Sequence, residues 1–298
     1  MTTLRQLLMQ LEKKLTKSGV YFGHGTNNAW DEAVQAASYV LGLPPNVDTS
    51  VGDRVLSQPE VTDIQALIQE RIDRKVPLPY LTHEAWFAGL SFYVDERVII
   101  PRSPFGELIQ NQFSPWLDND ALDNHGLNSH ATLQILDLCT GSACMAIACS
   151  YYLPNAQIDA IDISPDALAV AQQNVEQHHC GDKVHLIQSD LFSGCQNKRY
   201  DLIISNPPYV DAADMDALPA EFHHEPTLAL AAGQDGLSIV RQIVSKAVDH
   251  LTDNGFLIVE VGNSEAAVKK AYPNLPLTWL HFERGGSGVF LINRQSLG

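Results

Sequence analysis

No apolar run in this chain approaches the roughly 20 residues that a bilayer-spanning helix needs, so no membrane role is expected of it. Its start lacks the apolar core of a secretory signal and reads as an amphipathic helix, with Leu4, Leu7, Leu8, Leu11 and Leu15 on one face. The five cysteines show neither paired nor metal-ligand spacing, which predicts unbonded thiols in a reducing cytoplasm. His178-His179-Cys180 and His223-His224 also lack the spacing of a metal site, and no metal is expected. Basic residues are few. Against 35 Asp and Glu stand 19 Lys and Arg, a net charge of −16. Such a surface repels nucleic-acid phosphate and attracts a basic partner. No internal repeat or low-complexity tract is present, which excludes a repeat array.

What the chain has is length and apolar content. Its 298 residues, 45% hydrophobic, suffice for one sizeable core and a smaller domain. Helical periodicity covers 4–15, 29–41 and 61–74, and Val76-Pro77-Leu78-Pro79-Tyr80 breaks it. Residues 86–100 alternate loosely around Gly89 and predict a hairpin. Pro101-Arg102-Ser103-Pro104 then leads into an expected helix at 107–116, followed by a polar, exposed loop at 117–131. Beyond it strands alternate with helices, including a helix at 237–251 and a strand at 256–261. A terminal antiparallel pair is expected at 278–282 and 289–293, with Gly285, Gly286 and Gly288 in the turn between. This order predicts an α/β, doubly wound sheet.

The most informative stretch is Asn206-Pro207-Pro208-Tyr209, which ends the apolar run 200–205. The two prolines fix φ and remove two backbone donors, so local carbonyls stay free as acceptors. An Asn amide oxygen, such carbonyls and an aromatic face together suit a planar NH2 group. The combination points to methyl transfer onto an amide or exocyclic amine nitrogen. About 70 residues earlier a strand ends in Asp137, and Cys139-Thr140-Gly141-Ser142-Ala143 turns into a helix. A dinucleotide fingerprint would carry three glycines there to receive a pyrophosphate. One glycine fits a nucleoside ligand without phosphate, and S-adenosylmethionine is such a ligand. Asp162 ends the next strand about 20 residues on, where a ribose is held. Ser164 and Pro165 open the following helix as N-cap and first residue. A further strand ends in Asp190, placed to accept from an adenine amine, with Leu191 or Phe192 to cover the ring. Arg102 reads equally as a substrate contact or as the partner of an acid on the hairpin.

With these motifs in hand, the chain resembles the bacterial protein-glutamine methyltransferases over nearly its whole length. Val98-Ile99-Ile100-Pro101-Arg102-Ser103-Pro104, Cys139, Leu191 and His224-Glu225-Pro226 resemble the branch acting on large-subunit ribosomal protein L3, rather than the branch acting on peptide release factors. Ala143 departs from the resemblance, since that family usually carries Gly there. The resemblance implies a seven-stranded Rossmann-like methyltransferase sheet with a small helical amino-terminal domain and a linking β-hairpin. It implies boundaries at 1–80 for substrate recognition, 81–104 for the linker and 105–298 for the S-adenosylmethionine-dependent domain. It further implies transfer of a methyl group to a glutamine side-chain nitrogen of a basic ribosomal protein, with no direct nucleic acid requirement. Asn206, Pro207 and Tyr209 would carry the chemistry, and Pro208, Glu225 and Pro226 would border the glutamine. Asp137, Cys139, Thr140, Gly141, Ser142, Ala143, Asp162, Asp190, Leu191 and Asn206 would hold the cofactor. Two other readings stand beside it: amine methylation of a nucleic acid base, which would want a basic recognition segment, and a non-catalytic ribosome-assembly factor.

Overall fold

The computed structural model describes residues 2–44, 48–117 and 132–298, so the loop expected at 117–131 lies, from 118 onward, outside the described residues. Thr3 with Gln6, and Ser57 with Glu60, each close a capping box. These boxes set the starts of α1 (Leu4–Ser18) and α3 (Gln58–Arg74) by satisfying first-turn amides. Between them α2 (Ala29–Leu41) is capped by Asn28. The three helices bury one shared apolar face, in which Leu7, Leu11, Leu15, Ala33, Ala36, Ile64 and Ile68 pack together. Short α4 (Leu78–Thr82) follows the proline-rich break.

The hairpin expected over 86–100 is shorter than its alternation suggests. Only β1 (Ala85–Phe87) and β2 (Leu90–Phe92) pair, across Ala88-Gly89. The ladder ends because the Tyr93 amide and carbonyl are both taken by the Asn174 side chain, at 2.8 and 3.0 Å. The helix expected over 107–116 is likewise only α5 (Phe105–Gln110). Gln112 and Phe113 adopt positive φ, which swings the Phe113 ring into the core and ends the helix before Pro115.

The main sheet contains β3 (Leu133–Leu138), β4 (Ala156–Asp162), β5 (Val184–Gln188), β6 (Tyr200–Ser205), β7 (Leu251–Glu260), β8 (Thr278–Trp279) and β9 (Val289–Asn293), in the order β5-β4-β3-β6-β7-β9-β8. The first five strands in that order are parallel, and β9 and β8 close the edge antiparallel. Connecting helices are α6 (Cys144–Tyr152), α7 (Pro165–Gln177), α8 (Ala212–Ala217), α9 (Ser238–His250) and α10 (Glu265–Ala271). Successive side chains take opposite faces. Ile135, Leu202, Ile204 and Ile258 meet the layer of α6 and α7, whereas Leu136, Ile203, Leu257 and Val259 meet α9 and α10. With both faces covered, the strands read as continuous apolar runs. This is the doubly wound sheet that the alternation predicts, with the seven strands that the resemblance implies. Its last hairpin pairs over fewer residues than expected. Beyond Leu280 the amides of Glu283 and Arg284 donate to the Glu107 carboxylate, each at 3.0 Å, instead of to β9.

Among the described residues no helix is long and apolar enough to cross a membrane, and no group of three His, Cys, Asp or Glu is arranged for a metal ion. All five cysteines are free thiols.

Candidate active site

From β3 the chain builds outward through β4 and β5, then returns to lay β6 on the other side of β3. Strand order therefore reverses between β3 and β6, and ligands of open α/β sheets bind outside the carboxyl ends at such a point. Polar residues crown those ends in sequence: Asp137 in β3, Asp162 at the end of β4, Asp190 after β5, Asn206 after β6 and Glu260 at the end of β7. Sequence reasoning named all but Glu260. The signal it passed over was a single acid interrupting an otherwise apolar strand.

The turn after β3 is built from alternate left-handed residues: Cys139, Gly141 and Ala143 have φ of 62°, 56° and 62°. Asp137 is completely buried beneath it. One carboxylate oxygen accepts from Thr140 Oγ1 at 2.6 Å, while Oδ1 has no hydrogen-bond partner among the described residues. Burial pushes the Asp137 carboxyl up to about 7. Gly141 N donates to Asp162 Oδ2 and Ser164 N to Asp162 Oδ1, both at 2.9 Å, so Asp162 ties the turn to the start of α7. Burial raises this carboxyl as well. Ser164 caps α7 with Pro165 in its first turn, as the residue pattern predicts. A side chain on Gly141 would meet nothing within 4 Å, so the turn faces open space. Ser142 and Ala143 are buried, and Ser142 O accepts from Asn174 at 3.0 Å. Across the crevice Asp190 is exposed, Leu191 is buried with φ of 46°, and Phe192 stacks on His250 at 4.6 Å. An orphaned carboxylate oxygen under the turn, an open approach at Gly141 and an exposed acid opposite fit a nucleoside ligand with a charged aliphatic end.

At the other wall, Asn206, Pro208 and Tyr209 are half-buried and Pro207 is buried. Ser205 Oγ donates to Leu138 O at 2.8 Å, which pins the end of β6 to β3. Among the described residues nothing hydrogen-bonds the Asn206 side chain, so its amide remains available to a ligand. Tyr209 is held on three sides. Its carbonyl accepts from Ser264 Oγ at 2.8 Å, its hydroxyl donates to Glu260 Oε1 at 3.4 Å, and its ring lies against Gly262. A side chain on Gly262 would begin 2.6 Å from that ring, so glycine is required there.

Of the two readings of Arg102, the acid partner it finds is not on the hairpin: it forms a bidentate pair with Glu225, with Nη2 to Oε2 at 2.8 Å. Glu225 also accepts from Ile100 N at 3.0 Å. Burial is the largest single influence and opposes ionisation of Glu225, but the charge and hydrogen bonds of Arg102, with His24 beside it, together outweigh burial and hold the carboxyl at about 2. Both Glu225 oxygens are thus engaged, and half-buried Pro226 follows. A second cation, this one buried, was not singled out in the sequence. Arg71, only 1% exposed, donates to Glu32 at 2.7 Å, to Glu221 at 3.2 Å and to Tyr21 O at 2.8 Å. Glu221 accepts from Tyr21 N at 2.9 Å. His24 completes the contact, packed on Phe222 at 4.4 Å and 3.7 Å from Glu225 Oε2. Arg71 falls on the buried face of α3, in step with Ile64 and Ile68, and that misfit was the available signal.

A doubly wound sheet, a glycine-poor first turn and an Asn-Pro-Pro-Tyr edge at the switch point define the class: an α/β methyltransferase. Residues 121–233 match the family model described as the methyltransferase small domain. A ribosomal protein uL3 glutamine methyltransferase of Francisella tularensis subsp. tularensis is 46% identical over 296 residues, 99% of this chain and 91% of that protein. Its namesake from Neisseria gonorrhoeae is 44% identical over 297 residues, 100% of this chain and 96% of that one. The chain belongs to the family of ribosomal protein uL3 glutamine methyltransferases. The hMettl16 catalytic domain, solved with the MAT2A 3′UTR hairpin 1, aligns with a TM-score of 0.50 at 18% identity over 87% of this chain and 89% of that one, a likeness of fold alone.

Proposed function

We propose that this chain transfers a methyl group from S-adenosylmethionine to the side-chain amide nitrogen of a glutamine in large-subunit ribosomal protein uL3. The observation that carries this is the near-full-length match to two enzymes of that name. An NH2-binding edge at the switch point of the sheet agrees with it.

An amide nitrogen is a weak nucleophile because its lone pair is delocalised into the carbonyl. Asn206 Oδ1 and the Pro207 carbonyl accept its two N–H groups, orient the nitrogen and favour pyramidalisation. This is positioning and electrostatics, and it needs no strong base. Tyr209 covers the amide plane and excludes water, with Pro208 completing the rigid edge. Acceptors left unpaired by a wrong substrate cost binding, so the same groups select for NH2. Glu225 acts here through Arg102 and through the backbone it holds, with Pro226 at the border of the pocket. When bound, S-adenosylmethionine supplies an electrophilic sulfonium methyl group. Asp190 with Leu191 would receive its adenine, Asp162 its ribose, and Asp137 with the turn Cys139, Thr140, Gly141, Ser142 and Ala143 its aliphatic end. The helical unit, residues 1–80, recognises the substrate protein, and the 81–104 segment links it to the catalytic unit, residues 105–298. The acidic chain suits a basic ribosomal protein in the cytoplasm, without nucleic acid as an obligatory partner.

The test is incubation of the purified protein with methyl-labelled S-adenosylmethionine and three acceptors: uL3, a peptide release factor and duplex DNA. Label confined to one uL3 glutamine, mapped by mass spectrometry, is the expected result. Label on the release factor alone would keep the chemistry and reassign the substrate. Label on DNA, or none at all, would overturn the reading.

A further inference from the structure

Resting on that reading, we propose that Glu260 is a positioning residue for methyl transfer: it orients the Tyr209 ring and couples it, through Ser103, to the segment entering the catalytic unit. The argument begins with an anomaly of composition. The end of β7 is apolar except for Glu260, which is 6% exposed. A carboxylate in such a place is costly unless it is paired and hydrogen-bonded. No ion pair to Glu260 is found among the described residues, and neighbouring Arg102 spends its guanidinium on Glu225. Glu260 has hydroxyls instead. Ser103 Oγ accepts from Phe105 N at 3.1 Å, which leaves its proton for Glu260 Oε2. Tyr209 OH donates to the other oxygen.

Placement makes the arrangement functional. Ser205 of β6 pairs with Val259 of β7, so Glu260 lies one step further on, level with the start of the Asn-Pro-Pro-Tyr edge. Gly262 lies against the Tyr209 ring and Glu260 holds its hydroxyl, so the ring is fixed both along its edge and at its tip. A leucine or methionine would fill the same volume without the cost of a buried acid, but would leave the phenol free to swing. The groups facing Glu260 are Tyr209 from the edge and Ser103 and Arg102 from the entering segment, while its partner across β9 is apolar Val289. Burial raises the Glu260 carboxyl to about 7, so its proton occupancy changes near neutrality.

The experiment uses the full chain with uL3 as acceptor and compares Glu260→Gln, Tyr209→Phe and the double variant. The expected result is a kcat lower by about 10- to 100-fold in Glu260→Gln, with the Kd for S-adenosylmethionine and the KM for uL3 within about threefold of wild type. Because Glu260 acts through the Tyr209 hydroxyl, the double variant should be no slower than Tyr209→Phe alone. The acidic limb of the wild-type kcat profile near neutrality should disappear in Glu260→Gln. Wild-type kcat in Glu260→Gln, losses that multiply in the double variant, or a loss of cofactor binding would each overturn the proposal. Wild-type protein that leaves uL3 unlabelled would instead overturn the substrate reading on which it rests, and that is read before any variant.

Discussion

Asn206 offers an amide with no hydrogen-bond partner among the described residues, at the place in the sheet where strand order reverses. Asn206→Ala should therefore lower kcat by about 10²- to 10³-fold while the Kd for S-adenosylmethionine, measured calorimetrically, stays within severalfold. Ala143 is a different kind of residue, a buried alanine in a left-handed turn. Its conformation costs about 1–2 kcal/mol. Against that, glycine would forfeit a buried methyl worth about 0.8 kcal/mol and lose about 0.5–1 kcal/mol in chain entropy. The effects nearly cancel, so Ala143→Gly should move the unfolding free energy by less than about 1 kcal/mol, and the methyl is tolerated. Glu260 makes a pH-dependent prediction. A carboxyl raised on folding contributes stability that is complete below its unfolded value and lost as pH rises through about 7. Glu260→Gln, which cannot ionise, should gain roughly 1–3 kcal/mol relative to wild type between pH 5 and pH 8, read by urea unfolding. At this scale Asp137, Asp162, Asp190 and Asn206 were legible in the sequence because each follows a strand signal. Glu260 was masked by the apolar residues around it, although it obeys the same rule.

The connection from β6 to α9 is the element whose behaviour matters most, since it carries Tyr209, Glu221 and Glu225. Two guanidinium groups hold it, half-buried Arg102 on buried Glu225 and buried Arg71 on Glu221. Removing one partner of such a pair leaves a buried charge and costs about 3–5 kcal/mol, so Arg102→Met should lower the urea midpoint by that equivalent. The sign with pH is opposite to that of Glu260. Glu225 is depressed to about 2 on folding, so its contribution is complete above the ordinary carboxylate range and lost as pH falls toward 2. Acid unfolding of Glu225→Gln should be less steep than that of wild type. None of these pairings was visible in the chain, because the partners are far apart in sequence: Arg102 called for an acid without pointing to Glu225, and Arg71 showed only as a misfit on a buried helix face. The misjudged element ends have the same origin. β2 stops where Asn174 takes the Tyr93 backbone, and the last hairpin narrows where Glu107 takes two amides. Local pattern located the elements, and distant side chains trimmed them.

Seen whole, the molecule carries a net charge of −16, with its excess of acids past residue 80. Attraction of a basic substrate by such a field acts on encounter more than on chemistry. Raising ionic strength from about 50 to 200 mM shortens the screening length, and the KM for uL3 should rise by about 3- to 10-fold while kcat is unchanged. The doubly wound architecture was the most legible feature of the sequence, because each strand and helix declares its period locally. The seam between helical unit and sheet was the least legible, since Arg71, Tyr21 and His24 come from one side and Glu221, Phe222 and Glu225 from the other. That seam has a consequence for engineering. The helices and the sheet are matched like lock parts: residues 81–298 grafted onto helices without an arginine at the place of Arg71 would carry buried Glu221 without the charge that neutralises it. Functional chimeras should therefore arise only where both halves of the seam are exchanged together.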